Sequence, residues 1–499
     1  LLEAGPADES LVFPAKEEDI VAIIFSSGSI QDPKGVTITH RSTYTFAKAF
    51  AEKMDLYTGS DALTWMSLGT ITDFMVHHIV PLYTGSMQYH LSNLLFSQKP
   101  FYLCDLISEK RITYTTLINS MFPVMTSYAN CGEHGWDLHC MRYVLVGAEP
   151  VTEKASTDFL SAMKTYGLDK NCLKPGYGLS ETMSAVTVLD PNSFLKMLTI
   201  DDMHMNLGDK IQIVDSSYEH SHTFVSVGTS LDNVQIEITD QYGKRIGEGH
   251  VGIIKVKGPT VSRGYYGKDG DLIDESGWFD TGDIGFLEQG HLYIVGRYKD
   301  MFIVNGRNYY YNDLEHKLSL IANIDVHNIV LVCTDTGEVS DIHELVCFIK
   351  WENAADGNLE RLCASISEYC LEYYALKLVK FVILSEFPKT NSGKVQRYEM
   401  RKLYEEKHPD YRNCLLICKN IKEKNNREDI LKDLQEIFGH VLHMQIDIDD
   451  EYRDYINDSL YLAKIHLLID NHHPGVVSLA QMFNFITIED IADEILKHK

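Results

Sequence analysis

Four stretches of this chain hold residue types that could handle a nucleotide and an acid. Ser26-Ser27-Gly28-Ser29-Ile30-Gln31-Asp32-Pro33-Lys34-Gly35 follows an apolar run and offers hydroxyls, backbone N–H groups and a lysine. Such a loop can cradle phosphate, with Gly28 and Gly35 free to take positive φ. An ordinary polar turn has the same composition, and the Gly-Lys-Ser/Thr ending of a Walker loop is missing. Tyr177-Gly178-Leu179-Ser180-Glu181-Thr182 places an aromatic, a glycine and a carboxylate together. The ring can stack on a base and the carboxylate can hold Mg²⁺ beside phosphate oxygens. The competing reading is a plain helix start with Ser180 as its cap. Gly277 to Asp283 closes on a carboxylate able to accept two ribose hydroxyls, or is simply a hairpin turn. Lys394, in Gly393-Lys394-Val395, could stabilise charge developing on a carboxylate or phosphate, or could be one more solvated lysine.

These residues need a scaffold, and the pattern changes three times along the chain. Over the first 300 residues short β-branched runs alternate with helical patterns, which predicts an α/β layout with a mostly parallel sheet. Val21–Phe25 and Tyr143–Val146 read as buried strands, and Ser42 to Met54 as a helix capped by Ser42. From about Val225 period-two alternation sets in, with strands at Val234–Ile238 and Gly252–Lys257, predicting antiparallel hairpins and a small β-barrel. Residues 301–412 have an α+β texture, with strands at Ile329–Val332 and Leu345–Ile349 and a helix at Leu359–Tyr374. Residues 419–429 are charged and aperiodic and read as a linker. Residues 430–499 read as a small helical bundle. Its faces are Ile430/Leu434/Ile437/Phe438/Val441, Leu460/Ala463/Leu467/Leu468 after Ser459, and Ile488/Ile491/Ile495.

The 499 residues imply about two to four domains. With 71 acidic and 45 basic side chains the formal charge is −26, which repels phosphate backbones and anionic lipid. Nucleic acid is therefore not an expected partner, although a small anion held by a local loop remains compatible. The 10 cysteines form no Cys-x-x-Cys pair and no apolar stretch reaches membrane-spanning length, so reduced thiols and a cytoplasmic protein are expected. His77-His78 and His472-His473 lack ligand spacing, so zinc is not expected. Tyr309-Tyr310-Tyr311 reads as a packed strand end.

The order of the motifs says more than any one of them. The run Ser26–Gly35, Gly147-Ala148-Glu149-Pro150, Tyr177–Glu181, Gly264-Tyr265, Trp278–Asp283, Gly296–Asp300, Asn305–Asn308 and Gly393-Lys394 resembles the adenylate-forming enzymes over roughly residues 18–400. With Phe224–Gly228, it looks closest to fatty acyl-AMP ligases and starter-acid adenylation domains of polyketide and nonribosomal peptide assembly lines. Asn457-Asp458-Ser459-Leu460 separately resembles the phosphopantetheine attachment site of acyl and peptidyl carrier domains, against a plain N-cap reading for Ser459.

The resemblance implies a large subdomain (1–300), a lid (301–418), a linker (419–429) and a carrier domain (430–499). By it Ser26, Ser27, Gly28, Ser29, Lys34 and Gly35 wrap the ATP phosphates, and Gly147, Ala148, Glu149, Pro150, Tyr177 and Gly178 form the adenine slot. Glu181 binds Mg²⁺, Asp283 the ribose and Arg297 the nucleotide; Lys299 and Asp300 form the hinge, and Gly306 lines the pantetheine path. Lys394 and Glu181 are the catalytic pair, Thr70 and Asp73 lie by the acyl pocket, and Ser459 carries 4′-phosphopantetheine. The implied function is MgATP-dependent activation of a carboxylic acid as acyl-AMP, then thioester loading of the chain's own carrier domain. A phosphopantetheinyl transferase and a downstream condensation or ketosynthase domain are the implied partners. A non-catalytic scaffold and a free acyl-CoA ligase are the alternatives.

The chain departs from the resemblance in four places. Ile30-Gln31 stands where relatives have Thr-Gly, no His-Asp pair flanks Gly69-Thr70, and Ile456 replaces a glycine. The phosphate loop starts at residue 26, so an N-terminal portion of the adenylating domain is expected elsewhere.

Overall fold

The computed structural model describes residues 14–498, leaving out 27–33, 133, 219, 269, 299–300, 305–306, 336–342, 352–356, 375, 377, 379, 390–394, 407, 409–413, 417–425, 443, 445, 456–461, 463–464, 467, 470–472, 474–475 and 483–484. The chain divides into two compact units, Leu1–Lys299 and Asp300–Lys499.

The first unit opens with an antiparallel hairpin, Ile20–Ser26 against Lys34–Thr39. This corrects the buried-strand reading of Val21–Phe25. Ile24 is buried, but Phe25 is 63% exposed and Val21 39%. A two-stranded ribbon has one open face, and five consecutive apolar residues carry no period that announces it. The helix that follows, His40–Lys53, is capped by Thr39 and not by Ser42. Thr39 Oγ1 accepts from the Ser42 N–H (3.2 Å) while Ser42 Oγ accepts from the Thr39 N–H (3.1 Å), a reciprocal capping box.

Behind the hairpin lies a seven-stranded sheet in the order 229–230, 187–188, 173–177, 143–146, 114–117, 62–64, 88–90. The strands from Leu173–Tyr177 to Gln88–His90 run parallel, and the two short strands beyond Leu173–Tyr177 are antiparallel. Tyr143–Val146 is buried along its whole length, as a parallel strand covered on both faces must be. Between the 62–64 and 88–90 strands, Asp73–Ile79 winds as a π-helix before the short helix Val80–Thr84. The antiparallel region forms an open five-stranded sheet in the order 245–246, 235–239, 252–257, 279–288, 291–297. The described strands do not close on themselves, which corrects the barrel expectation: alternation reports one covered face, and closure depends on how the edge strands pair.

The second unit begins with the hairpin Met301–Val304 and Arg307–Tyr310 and the helix Tyr311–Ala322. Its sheet has the order 329–335, 343–350, 380–384, 414–416, with 343–350 and 380–384 parallel. The helices Gly357–Tyr374 and Arg397–Glu405 accompany it. Tyr309, Tyr310 and Tyr311 are buried where the strand meets the helix. The tail has helices Arg427–Leu442, Leu479–Met482 and Ile488–Lys497. Ile430, Leu434, Ile437, Phe438, Val441, Ile488, Ile491 and Ile495 share one core. After Ser459 the buried positions are Leu462, Ile465 and Ile469, with Leu468 only partly buried. Ser459, Leu460, Ala463 and Leu467 themselves lie outside the described residues.

Candidate active site

The parallel strands Tyr143–Val146 and Leu173–Tyr177 lie side by side, and their carboxyl ends run into Gly147–Pro150 and Tyr177–Thr182. In open α/β sheets ligands bind outside such strand ends. The turn at Ala148 takes φ +68°, a left-handed conformation in a residue other than glycine. Glu149 accepts a hydrogen bond from the Ser120 N–H. At Gly178 a side chain is impossible without moving the backbone, since a Cβ there would sit 1.9 Å from the Ser184 carbonyl oxygen. Ser180 opens a 3₁₀ turn, Ser180–Thr182, preceded by Leu179. Thr182 Oγ1 accepts from the Leu179 N–H at 2.9 Å, so Ser180 is not the cap.

Tyr177 reaches the antiparallel sheet. Its hydroxyl donates to Asp283 Oδ2 at 2.6 Å, and Arg297 Nε donates to Asp283 Oδ1 at 2.8 Å. Asp283 is buried within the strand Phe279–Glu288, across from Arg297 in the register, and does not sit in a hairpin turn. Burial, then the neighbouring carboxylate, pushes the Tyr177 hydroxyl well above its ordinary pKa, so it remains a donor. Asp283 thus receives a protein donor on each of its carboxylate oxygens.

A second cluster joins three distant motifs. The Lys34–Thr39 strand is extended by 264–266: Val36 bridges Tyr265, and the Tyr266 N–H donates to the Gly35 carbonyl at 2.7 Å. This puts the Lys34 ammonium 5.1 Å from the Tyr265 ring centre, while the Tyr265 hydroxyl donates to Glu181 Oε1 at 2.8 Å. Burial and the Glu181 carboxylate raise the Tyr265 pKa. Among the described residues no three His, Cys, Asp or Glu side chains converge on a metal position. A single carboxylate, Glu181, fits Mg²⁺ that arrives with phosphate oxygens, since that ion commonly keeps one or two carboxylates plus substrate phosphates.

The segment read as an acyl pocket holds a different pair. Thr70 is exposed and its hydroxyl donates to the Ser67 carbonyl at 2.9 Å. Asp73 is fully buried, with Oδ1 3.7 Å from Nδ1 of the equally buried His77, one turn along the π-helix. Neither carboxylate oxygen nor His77 Nδ1 has a hydrogen-bond partner among the described residues. Burial raises the Asp73 pKa and lowers that of His77 to about 3, which keeps His77 neutral.

Of the residues read as functional, Lys34, Tyr177, Glu181, Asp283 and Arg297 fall into these two clusters. Ser27, Gly28, Ser29, Lys299, Asp300, Gly306, Lys394 and Ser459 lie outside the described residues. The structure adds Tyr265 to the Lys34–Glu181 cluster and pairs His77 with Asp73; Tyr265 stands inside a motif of the sequence, whereas His77-His78 lacks ligand spacing and so is not expected from the sequence to take part.

Taken together, an open parallel sheet ending in a tyrosine, an acid–arginine pair and a lysine–tyrosine–glutamate cluster define a nucleotide-handling α/β enzyme. The model of the AMP-binding enzyme family matches residues 3–266, more than half of the chain, and the chain belongs to that family. The medium-chain-fatty-acid–[acyl-carrier-protein] ligase JamA of Moorena producens is 26% identical over 419 residues, covering 78% of this chain and 68% of JamA. A solved fatty acyl-adenylate ligase, from work on the enzymes of E. coli and L. pneumophila, is 25% identical with a TM-score of 0.71, over 79% of this chain and 71% of that one. McyG A-PCP, solved with phenylalanyl-adenylate, shares the fold over 99% of this chain and 76% of its own, at 21% identity and a TM-score of 0.67. The chain is an adenylate-forming, acid-activating ligase that uses ATP and Mg²⁺. Among the described residues no helix is long and apolar enough to cross a membrane.

Proposed function

We propose that this chain converts a carboxylic acid without a required α-amino group, and MgATP, to acyl-AMP and pyrophosphate. It then passes the acyl group to a thiol borne by its own C-terminal residues 430–499, forming a thioester and releasing AMP. The observation that carries the first half is Asp283, buried and held between the Tyr177 hydroxyl and the Arg297 guanidinium. In this reading Asp283 and Arg297 hold the nucleotide, and Ser26–Ser29, Lys34 and Gly35 take its phosphates. Gly147–Pro150, Tyr177 and Gly178 flank the base, and Glu181 with Tyr265 steadies the Mg²⁺-bound phosphates. Lys394, on a lid spanning 301–418, neutralises charge on the carboxylate and α-phosphate, and Lys299-Asp300 is the hinge. Acyl activation needs charge neutralisation and in-line placement and no protein nucleophile.

One thing supports an acid lacking an amine. JamA, by its name, acts on medium-chain fatty acids. The second half rests on the Asn457-Asp458-Ser459-Leu460 motif, on the charged, aperiodic composition of 419–426 ahead of the Arg427–Leu442 helix, which takes in 427–429 of the expected linker, and on the fold shared with McyG A-PCP. A 4′-phosphopantetheine arm on Ser459, installed by a transferase, would supply the thiol. A condensation or ketosynthase domain would take the product.

ATP–pyrophosphate exchange with decanoate, 3-(4-hydroxyphenyl)propanoate, a branched 2-keto acid and phenylalanine tests this. Exchange with one of the first three is expected. Phenylalanine alone would overturn the substrate class. No exchange and no calorimetric ATP binding would favour a scaffold, the reading that Ile30-Gln31 in the phosphate loop supports.

A further inference from the structure

The sheet of the second unit has an edge strand, Ile329–Asp335, that pairs with His343–Lys350 on one side only. An edge leaves backbone donors and acceptors to be satisfied by other means. Here side chains do it. The Leu331 N–H donates to Glu315 Oε1 at 2.7 Å, and the Cys333 N–H donates to the Tyr311 hydroxyl at 3.1 Å. The Leu331 carbonyl accepts from Arg397 Nη1 at 2.7 Å. Arg397 also grips Glu315 with its fork, through Nη1 to Oε1 and through Nη2 to Oε2 at 3.1 Å. Its guanidinium lies 4.3 Å from the Tyr311 ring centre. Glu315 is 6% exposed, so this is a charge pair largely out of water, bidentate and fully engaged.

Arg397 is also the first residue of the helix Arg397–Glu405, directly after a hairpin. The Gln396 N–H donates to the Pro388 carbonyl at 2.8 Å, and Lys389 bridges Val395. Phe387 and Met400 are buried with Val330, Val332 and Phe348, and Val395 packs against them. The described residues on either side of 390–394 are thus fixed to the sheet, through the apolar packing of Phe387 and Val395 and through Arg397. Lys394 immediately precedes Val395 in sequence.

We infer that Arg397 is a positioning residue: by locking onto Glu315 and the Leu331 carbonyl it fixes Val395–Arg397, the residues that directly follow Lys394 in the chain. This rests on the reading of Lys394 given above. Placement errors of about 1 Å cost on the order of 10²-fold in rate. A lysine at 397 keeps the charge but not the planar fork, so it restores the anchor only in part.

Two measurements on the full chain test this. In hydrogen–deuterium exchange, Arg397→Lys and Glu315→Gln are expected to raise exchange in peptides covering 388–396 by about tenfold, leaving 343–350 unchanged. In kinetics, with whichever of the four acids the wild type activates, Arg397→Ala is expected to lower kcat for ATP–pyrophosphate exchange about 10²-fold, and Arg397→Lys less, with KM for ATP within about twofold. Transfer from the corresponding synthetic acyl-AMP to the chain's own phosphopantetheine arm, installed beforehand, should change by less than about twofold, because the adenylate is already made. Unchanged deuterium exchange over 388–396 would overturn the anchor. Equal loss in both half-reactions would reduce Arg397 to a structural residue. Lys394→Ala run in parallel separates the two ideas: full activity there rejects the reading of Lys394, while the deuterium result still decides the anchor. A wild-type chain without exchange rejects the activity and leaves that same decision standing.

Discussion

At the scale of single residues, Asp283 is the centre of the nucleotide reading. It is held by a phenol on one oxygen and a guanidinium on the other. Hydrogen bonds to a charged group are worth about 1.5–3 kcal/mol, so Asp283→Ala is expected to raise KM for ATP by roughly 10- to 100-fold, and Tyr177→Phe by less. Initial rates of pyrophosphate exchange against ATP concentration measure both. Lys394→Ala should reduce adenylation by about 10²–10³-fold and spare transfer from ready-made acyl-AMP. The Asp73–His77 pair makes a pH prediction. His77 has a folded pKa of about 3, below its ordinary 6.5. Its contribution is complete above pH 6.5 and is lost as pH falls towards about 3, because the unfolded chain binds the proton first. Between pH 6.5 and 5 the loss is on the order of 2 kcal/mol. Thermal melts at pH 7 and pH 5 should show His77→Gln losing less stability on acidification than the wild type. Asp73 has the opposite sign: its raised pKa means stability is lost as pH rises through the folded value. Asp73→Asn should therefore gain melting temperature at pH 8 and not at pH 4, and should leave the preferred acid unchanged.

At the scale of elements, local chemistry was readable wherever one residue's neighbours in sequence settle its environment. The Tyr143–Val146 strand, the Gly357–Tyr374 helix and the Ile488/Ile491/Ile495 face followed from period and length. Ser42 was misread as the cap because Thr39 and Ser42 are both good capping residues. Only the backbone angles at Thr39, φ −100° and ψ 162°, decide which of them stands outside the helix. Thr39→Ala removes one half of the capping box and is expected to cost about 1 kcal/mol, seen as a lower melting temperature of the intact chain. The π-helix at Asp73–Ile79 left no trace in the pattern. One extra residue per turn changes which side chains face inward, and here it buries an acid and a histidine that the sequence presented as unremarkable polar positions.

At the scale of the whole molecule, the proposed sequence of adenylation and then loading makes Ser459→Ala a clean separation. That variant should keep pyrophosphate exchange at wild-type rate and gain no mass on treatment with coenzyme A and a phosphopantetheinyl transferase. An arm still taken up would move the attachment elsewhere. The α/β class, the change of texture near Val225 and the order of the nucleotide motifs were determined by the sequence alone. Periodicity follows from which face is covered, and glycine-rich turns follow from φ angles that few other residues adopt. The meeting of the motifs was decided only in three dimensions. Lys34, Glu181 and Tyr265 lie up to 231 residues apart in sequence and converge through a strand bridged by 264–266. Tyr177 and Asp283, 106 residues apart, share a hydrogen bond. Residue spacing constrains neighbours within a turn or a hairpin; which distant strand ends face one another depends on sheet order and register, and those are set by packing over the whole unit.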